Sequence, residues 1–332
     1  MSPSRRATIR DVAAEAGVSK SLVSLVFSGG RVSDDRRARV LAAAERLGFR
    51  PNYAARSLAA TDGGFTGILV ADLHHPALGE IVDAARVELA RSGRSALLTA
   101  ATMPGDDGSA GLDRRTLHVF GDLRPRSIIV IGSVPDAGAI AESAPGIPIV
   151  VASAVADAAD PVATVRSDDE AGMRLVVDHL VERGHARIAH VGGRGGIVAE
   201  RRAAAYAAAM TAHGLGDQVR VADAGFSESA GYAAGRALCA DPPTAIACVN
   251  DAAAVGVLAA ADDAGARIAV AGYDDSPIAR LRQVSLTSVD PHAAEIGRAA
   301  ARRAIDAEEG RAPIARETLV EPALVVRAST AA

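Results

Sequence analysis

The stretch from Thr8 to Phe27, TIRDVAAEAGVSKSLVSLVF, constrains the chain most, because it reads as two short helices broken by a tight turn at Ala16-Gly17-Val18. Thr8 and Asp11 have the spacing at which a threonine oxygen takes a free backbone N–H of the first turn while a carboxylate faces the positive helix end. Ile9, Val12, Ala13 and Ala16 recur every three or four residues and give one apolar stripe, and Gly17 supplies the left-handed turn without a Cβ penalty. Ser19 then caps a second helix, with Val18 placed to staple onto Val23. Val23 and Val26 face the first helix, which leaves Lys20, Ser21, Ser24 and Leu25 outward. Ser33, followed by Asp34 and Asp35, opens a third helix that runs through Val40, Leu41, Ala44 and Leu47 to a stop at Gly48. Three short helices of this kind close one small core.

Charge is split unevenly along the chain. Residues 1–60 hold 11 Lys and Arg against 5 Asp and Glu, out of chain totals of 36 and 40, so the overall charge of −4 hides a basic N-terminal module on an acidic body. A basic helix-turn-helix matches phosphate-rich duplex DNA, where phosphate contacts supply most sequence-independent affinity. At 332 residues the chain exceeds one ordinary core. The sequence contains Cys239 and Cys248 as its two cysteines, too few for a disulfide framework, and they lack histidine at zinc spacing. A reducing, cytoplasmic setting is expected, with no metal and no cofactor. No run of 18 apolar residues offers a bilayer span.

These residues carry a resemblance. Thr8-Ile9-Arg10-Asp11-Val12-Ala13, Ala16-Gly17-Val18-Ser19, Arg39-Val40-Leu41, Leu47-Gly48-Phe49-Arg50-Pro51-Asn52 and Ala55-Arg56-Ser57-Leu58 resemble the LacI/GalR family of bacterial transcription regulators. The resemblance implies an all-α helix-turn-helix headpiece over residues 1–50. A hinge helix and linker follow at 51–64, and a two-lobed effector-binding and dimerisation domain occupies 65–332, an α/β body of periplasmic-binding-protein type with parallel sheets. Tyr53 to Ala60 is a helical octamer too short to persist alone in water. In the family it folds where two subunits meet over the minor groove, each wedging in a leucine, which Leu58 matches. The implied DNA-contacting set is Thr8, Ser19, Lys20, Ser21, Ser24, Leu25, Asn52, Ala55 and Leu58. Leu22 and Leu25 stand where threonine and arginine are usual, so the family's half-site does not carry over. Lys20 can reach guanine O6 or N7, Ser21 either kind of base edge, and Leu25 a thymine methyl.

From Phe65 onward apolar runs alternate with amphipathic helices. Gly67–Ala71, Ser95–Thr99, Ser127–Ile131, Ile147–Val151, Arg187–Val191, Ala245–Val249 and Ile268–Ala271 are strand candidates, and such alternation predicts parallel sheets covered on both faces. The resemblance adds three crossovers between lobes near Thr164, Val289 and Pro322. Ligands of open parallel sheets bind beyond the carboxyl ends of the strands. The loops that follow strands carry Asp72 with His74 and His75, Gly192-Gly193-Arg194-Gly195-Gly196 leading to Arg202, Asn250-Asp251, and Asp274-Asp275. By resemblance Arg202, four residues before Tyr206, and Asp274 contact effector, with Asp72, His75, Ser153, Asn250 and Asp251 completing the expected site. Ser153 and Ala154 replace an acidic residue and an arginine common in the family, and aromatics are missing around Ala77. The expected effector is sugar-like or nucleoside-like.

Two other function classes fit the sequence less well. The glycine loop matches neither G-x-G-x-x-G nor a P-loop with its lysine, and there is no G-x-S-x-G or H-E-x-x-H, so an enzyme is not expected. A solute-binding protein of transport would share the body but requires a secretion signal and no headpiece. The expectation is therefore a repressor whose operator affinity is set by a small molecule between two lobes. It acts as a homodimer on a palindromic DNA site, away from membranes, and no leucine heptad follows Leu324 to build a tetramer.

Overall fold

A computed structural model of the protein describes residues 7–27, 30–49, 63–73, 75–104, 110–156, 162–311 and 316–331. The expected hinge octamer, with Asn52, Ala55 and Leu58, and also His74, lies outside the described residues. The chain divides after Gly63 into two compact units.

In the first unit α1 spans Ile9–Ala16, α2 Lys20–Phe27 and α3 Asp34–Arg46. The Thr8 capping box is present in full: Thr8 Oγ1 accepts from the Asp11 amide at 3.4 Å, and the Thr8 amide donates to Asp11 Oδ2 at 2.8 Å. Gly17 ends α1 at φ 64°, and the Val18 amide reaches back to the Ala13 carbonyl at 3.0 Å, the geometry that turns the chain into α2. Ser19 Oγ accepts from the Leu22 amide at 3.2 Å. Val12, Ala13, Ala16, Val23, Val26, Val40, Ala43 and Ala44 form the core, and the rings of Phe27 and Phe49 meet at 5.6 Å against it. Arg37 ties α3 to the end of α2 by donating to the Gly30 and Val26 carbonyls. Two details depart from the sequence reading. Leu41 and Leu47 are exposed, because the buried stripe of α3 passes through Val40, Ala43 and Ala44, and Ser33 sits at the N-cap of α3 without a side-chain bond.

The second unit contains two six-stranded sheets. The first is ordered β13-β7-β6-β5-β1-β2, with β1 Phe65–Val70, β2 Ser95–Ala100, β5 Ser127–Ile131, β6 Ile149–Ala152, β7 Ala163–Ser167 and β13 Glu317–Val320, all parallel. The second is ordered β14-β12-β11-β10-β8-β9, with β8 Ile188–Gly193, β9 Val221–Ala224, β10 Ala245–Cys248, β11 Ala269–Tyr273 and β12 Thr287–Asp290 parallel and β14 Ala323–Val325 antiparallel. A small hairpin joins β3 Thr102–Pro104 to β4 Ala110–Leu112.

Helices cover both faces of each sheet, as buried parallel strands require. α4 (Pro76–Arg91) and α11 (Ala293–Glu308) pack on one face of the first sheet, and α5 (Arg114–Asp122) and α6 (Ala137–Ser143) on the other. α7 (Asp169–Glu182) and α8 (Ile197–Ala212) cover one face of the second, and α9 (Glu228–Leu238) and α10 (Asp251–Asp263) the other. β2 is an exception to the burial expected of it: it is an edge strand, and Leu97 and Leu98 are exposed. The strand at β7 and the strands from β12 to β14 were not anticipated from the sequence. They carry the three lobe crossings, which fall just after Ser167, at Asp290–His292 and at Glu321–Pro322, close to the expected points.

Candidate functional site

In the first unit the outward face of α2 is the candidate nucleic-acid surface. Lys20, Ser21, Ser24 and Leu25 are exposed and, with Ile9, line one open groove. This follows from helical spacing: Val23 and Val26 are pulled into the core, so positions 20, 21, 24 and 25 must share the opposite face. The Thr8 and Ser19 hydroxyls are engaged in capping, so their side chains define the starts of α1 and α2.

The candidate ligand site is a cavity of about 270 Å³ in the second unit, formed where strand ends of the two sheets converge. Each loop that reaches it follows the carboxyl end of a strand: Asp72 and His75 after β1, Ser133 after β5, Ser153 after β6, Asp169 after β7, Gly195 and Arg202 after β8, Phe226 after β9 and Asp274 after β11. Pro291 and Ala293 close it from the second lobe crossing. Leu78, Ile81 and Val198 supply apolar wall.

Arg202 is the centre of the site. It projects from α8 with 7% of its surface accessible, donates from Nε to Asp169 Oδ1 at 2.8 Å and from Nη1 to the Val249 carbonyl at 2.7 Å, and stands 3.7 Å from Asp274 Oδ1. Its Cζ lies 3.5 Å from the centre of the Tyr273 ring, a cation–π contact in a desolvated setting. Gly172 of α7 makes room for that ring, since a Cβ there would come within 2.6 Å of the Tyr273 hydroxyl. Burial alone would pull the Arg202 pKa down; the neighbouring Asp169 and Asp274 carboxylates outweigh it, so the guanidinium stays charged.

Asp274 occupies a left-handed backbone position at φ 109°, which turns its carboxylate into the cavity. Burial pushes its pKa up, Arg202 opposes and Asp169 adds to the rise. Across the cavity His75 Nε2 is 3.8 Å from Asp274 Oδ2, and its ring meets Phe226 edge-on at 6.4 Å, so His75 bridges the lobes. Burial lowers its pKa against the pull of Asp72, and the ring is neutral near pH 7. Asp275, the neighbour of Asp274, faces away and is held by Arg327 at 2.6 Å and Arg280 at 3.1 Å.

Of the residues expected from the sequence, the cavity gathers Asp72, His75, Ser153, Arg202 and Asp274. Asn250 and Asp251 are not among its lining residues. Asn250 caps α10 through Ala253 and anchors the Phe226 carbonyl, while Asp251 accepts from Ser288 Oγ at 2.6 Å and from the Ser276 amide at 2.7 Å, so both hold loops beneath the site. Burial and the nearby Asp274 charge push the Asp251 pKa up. Tyr206 is likewise interior: it bonds the Ile188 carbonyl and stacks on His190, and the aromatic beneath Arg202 is Tyr273. Arg166, Asp169 and Phe226 line the cavity but were missed. They follow or end strands whose short, mixed sequences carry no periodic signal.

Comparison with known proteins agrees with both units. Residues 8–52 match the family "Bacterial regulatory proteins, lacI family", and residues 177–330 match the "Periplasmic binding protein-like domain". The HTH-type transcriptional repressor PurR of Erwinia tasmaniensis is 30% identical over 341 aligned residues, covering 98% of this chain and 97% of that protein. The maltose regulon regulatory protein MalI of Escherichia coli is 36% identical over 218 residues, covering 65% of this chain and 62% of MalI. Among solved structures, the Lac repressor dimer bound to operator and the anti-inducer ONPF superposes with a TM-score of 0.85 at 26% identity, covering 99% of this chain and all of that one. A CelR–cellobiose complex superposes at 0.71 and 26% identity, covering 98% and 100%. No described helix is long and apolar enough to cross a membrane. With a capped helix-turn-helix at one end, a cleft between two parallel-sheet lobes in the body, and a full-length relative that is itself a repressor, the chain belongs to the lacI family of bacterial transcription regulators.

Proposed function

We propose that the protein is a cytoplasmic repressor that binds a palindromic operator as a homodimer and whose operator affinity is changed by a sugar-like or nucleoside-like molecule in the cleft. Residues 1–50 act as the DNA-reading headpiece, 51–64 as the hinge and 65–332 as the effector-binding and dimerising body. On this reading Lys20, Ser21, Ser24 and Leu25 meet base edges, the helix starts at Thr8 and Ser19 meet phosphates, and Asn52, Ala55 and Leu58 act at the minor groove. The Lac repressor structure, a dimer on operator, and the PurR and MalI regulators support it by similarity. For a second copy of the chain, the body offers the open edge of β2, where Leu97, Leu98 and the nearby Val119 of α5 are exposed.

One observation carries the allosteric part: Asp72, His75 and Ser153 come from one lobe and Arg202, Phe226 and Asp274 from the other, around a single cavity. A molecule bound there contacts both lobes, so it prefers one lobe arrangement over another and shifts the population accordingly. The test is to select DNA sites with the full-length protein from random duplex at near-physiological salt, then titrate the selected site with and without small molecules that raise the protein's melting temperature. The expected result is a symmetric site whose affinity changes with ligand. A protein with no preference over random duplex contradicts the DNA half of the reading. A ligand that occupies the cleft and leaves operator affinity unchanged at all concentrations contradicts the allosteric half.

A further inference from the structure

The cleft holds a second buried arginine. Arg166 lies at the end of β7 with 6% of its surface accessible and lines the same cavity as Arg202. The two guanidinium groups grip one carboxylate from opposite sides: Arg202 Nε takes Asp169 Oδ1 at 2.8 Å, and Arg166 Nη1 takes Asp169 Oδ2 at 3.3 Å. The remaining bonds of Arg166 run from Nε to Glu317 at 2.8 Å and from Nη1 to the Ser167 carbonyl at 3.0 Å. Among the described residues, the Nη2 groups of Arg166 and Arg202 therefore make no hydrogen bond and neither is a fully buried orphan, and both side chains line the cavity.

The donors of this fork are incompletely filled. Asp169 is shared by two cations. Glu317 is 41% exposed, so its attraction for Arg166 is screened by water, and Asp274 stands beyond hydrogen-bond distance of Arg202. Buried cations with unfilled donors favour an anion that completes the set, and a guanidinium fork matches the planar oxygens of a carboxylate. Elsewhere on its lining the cavity offers Asp274, beside Arg202, and the hydroxyls of Ser133 and Ser153 for ligand hydroxyl groups. A cavity of about 270 Å³ limits the ligand to roughly the size of one small ring or a six-carbon chain.

We propose that Arg166 is a ligand-contacting, specificity-determining residue that acts with Arg202 around Asp169 to select an effector bearing a carboxylate beside hydroxyl groups, of the aldonic or uronic acid class, over neutral sugars. The proposal rests on the reading of the cleft as the effector site. It also fixes a pH sign. Asp274 is faced by His75 from the β1–α4 loop, Asp169 from α7, Arg202 from α8, Asp251 from α10 and Tyr273 from its own strand. An arriving carboxylate competes with Asp274 for Arg202, so Asp274 binds a proton and acidic ligands bind more tightly at lower pH. A neutral ligand that donates a hydroxyl to ionised Asp274 has the opposite slope.

The experiment is a thermal-shift series on the full-length protein at about pH 6 and about pH 8 with gluconate, glucuronate and galacturonate against glucose, galactose, glucosamine and glucose 6-phosphate at millimolar concentration. The expected result is that an acid raises the melting temperature where its neutral parent does not, more at the lower pH, and that Arg166→Lys weakens that acid at least about tenfold by losing the fork while keeping the charge. Arg166→Gln, should it fold, behaves likewise. The proposal is overturned if neutral, amino or phosphorylated sugars bind and the acids do not, if none of the acids binds, or if Arg166→Lys leaves acid affinity unchanged. A ligand whose binding also ignores Arg202→Lys sits elsewhere, and that outcome sinks the cleft reading itself.

Discussion

The guanidinium of Arg202 lies over the ring of Tyr273, Cζ to ring centre 3.5 Å, while the same tyrosine's hydroxyl reaches Ser167 Oγ at 3.3 Å. One aromatic residue from β11 therefore positions the cleft arginine from α8 and touches the strand end where the chain first crosses between lobes. Tyr273→Phe keeps the ring and loses one bond, so it is expected to cost about 1 kcal/mol in urea unfolding. Tyr273→Leu also removes the face beneath a buried cation and is expected to cost about 2 kcal/mol more, with weaker ligand binding. Equal stability of the two variants would show that the ring face contributes nothing.

Gly172 is not replaceable on helix propensity. Alanine is the better helix former by about 1 kcal/mol, but its Cβ would lie 2.6 to 2.9 Å from the Tyr273 ring and hydroxyl. Gly172→Ala is expected to lower stability by about 1–3 kcal/mol and to weaken cleft ligands, since the displaced ring carries Arg202 with it. Chemical denaturation checks the first outcome and ligand titration the second.

The Asp251 and Asp274 carboxyls titrate above their ordinary value of 3.8, because burial disfavours both charges, with the Asp274 charge adding to the rise at Asp251 and the Asp169 charge to that at Asp274. The folded protein thus holds protons that the unfolded chain releases, and this pair destabilises increasingly as pH rises through and above the ordinary carboxylate range. Asp251→Asn removes one charge and keeps one acceptor oxygen, for the Ser276 amide, with its NH2 group turned to the Ser288 hydroxyl oxygen. Relative to the parent, the variant is expected to gain stability as pH goes from about 5 to about 8. A stability difference that is flat, or that moves the other way, would contradict the assigned coupling.

His190 runs in the opposite direction. It is fully buried against Tyr206, and burial depresses its pKa from 6.5 to about 4. The unfolded chain takes up a proton that the folded one refuses, so stability is lost as pH falls from 6.5 through 4, by up to about 3 kcal/mol. His190→Phe is expected to flatten that acid limb whatever its effect on absolute stability. Unfolding midpoints across the window are the measurement.

On the headpiece, Lys20→Ala is expected to leave the fold intact and reduce the slope of log affinity against log salt by about one phosphate contact, or to relax selection at one base pair if Lys20 reads guanine. Val23→Asp puts a charge into a core position with no exposed surface and is expected to unfold the three-helix unit, abolishing all duplex binding. Circular dichroism separates the two cases.

The sequence by itself determined the local elements. The Thr8 box, the Gly17 turn, the spacing of Val12, Val23 and Val40 and the β-rich apolar runs are short-range patterns that specify the headpiece and most central strands, while the expectation for the cleft arginine and aspartate comes from the family resemblance. The tertiary structure decided which side chains meet. Arg166 and Asp169 are near in sequence but become a charge fork only when β13 and α8 bring Glu317 and Arg202 to them. Asn250 and Asp251 read as site residues, but in the structure they cap a helix and bind loops from 24 to 37 residues away. Periodicity reports the face of one element, whereas a pocket is made where the ends of many elements converge, and burial and charge there are properties of the assembled neighbours.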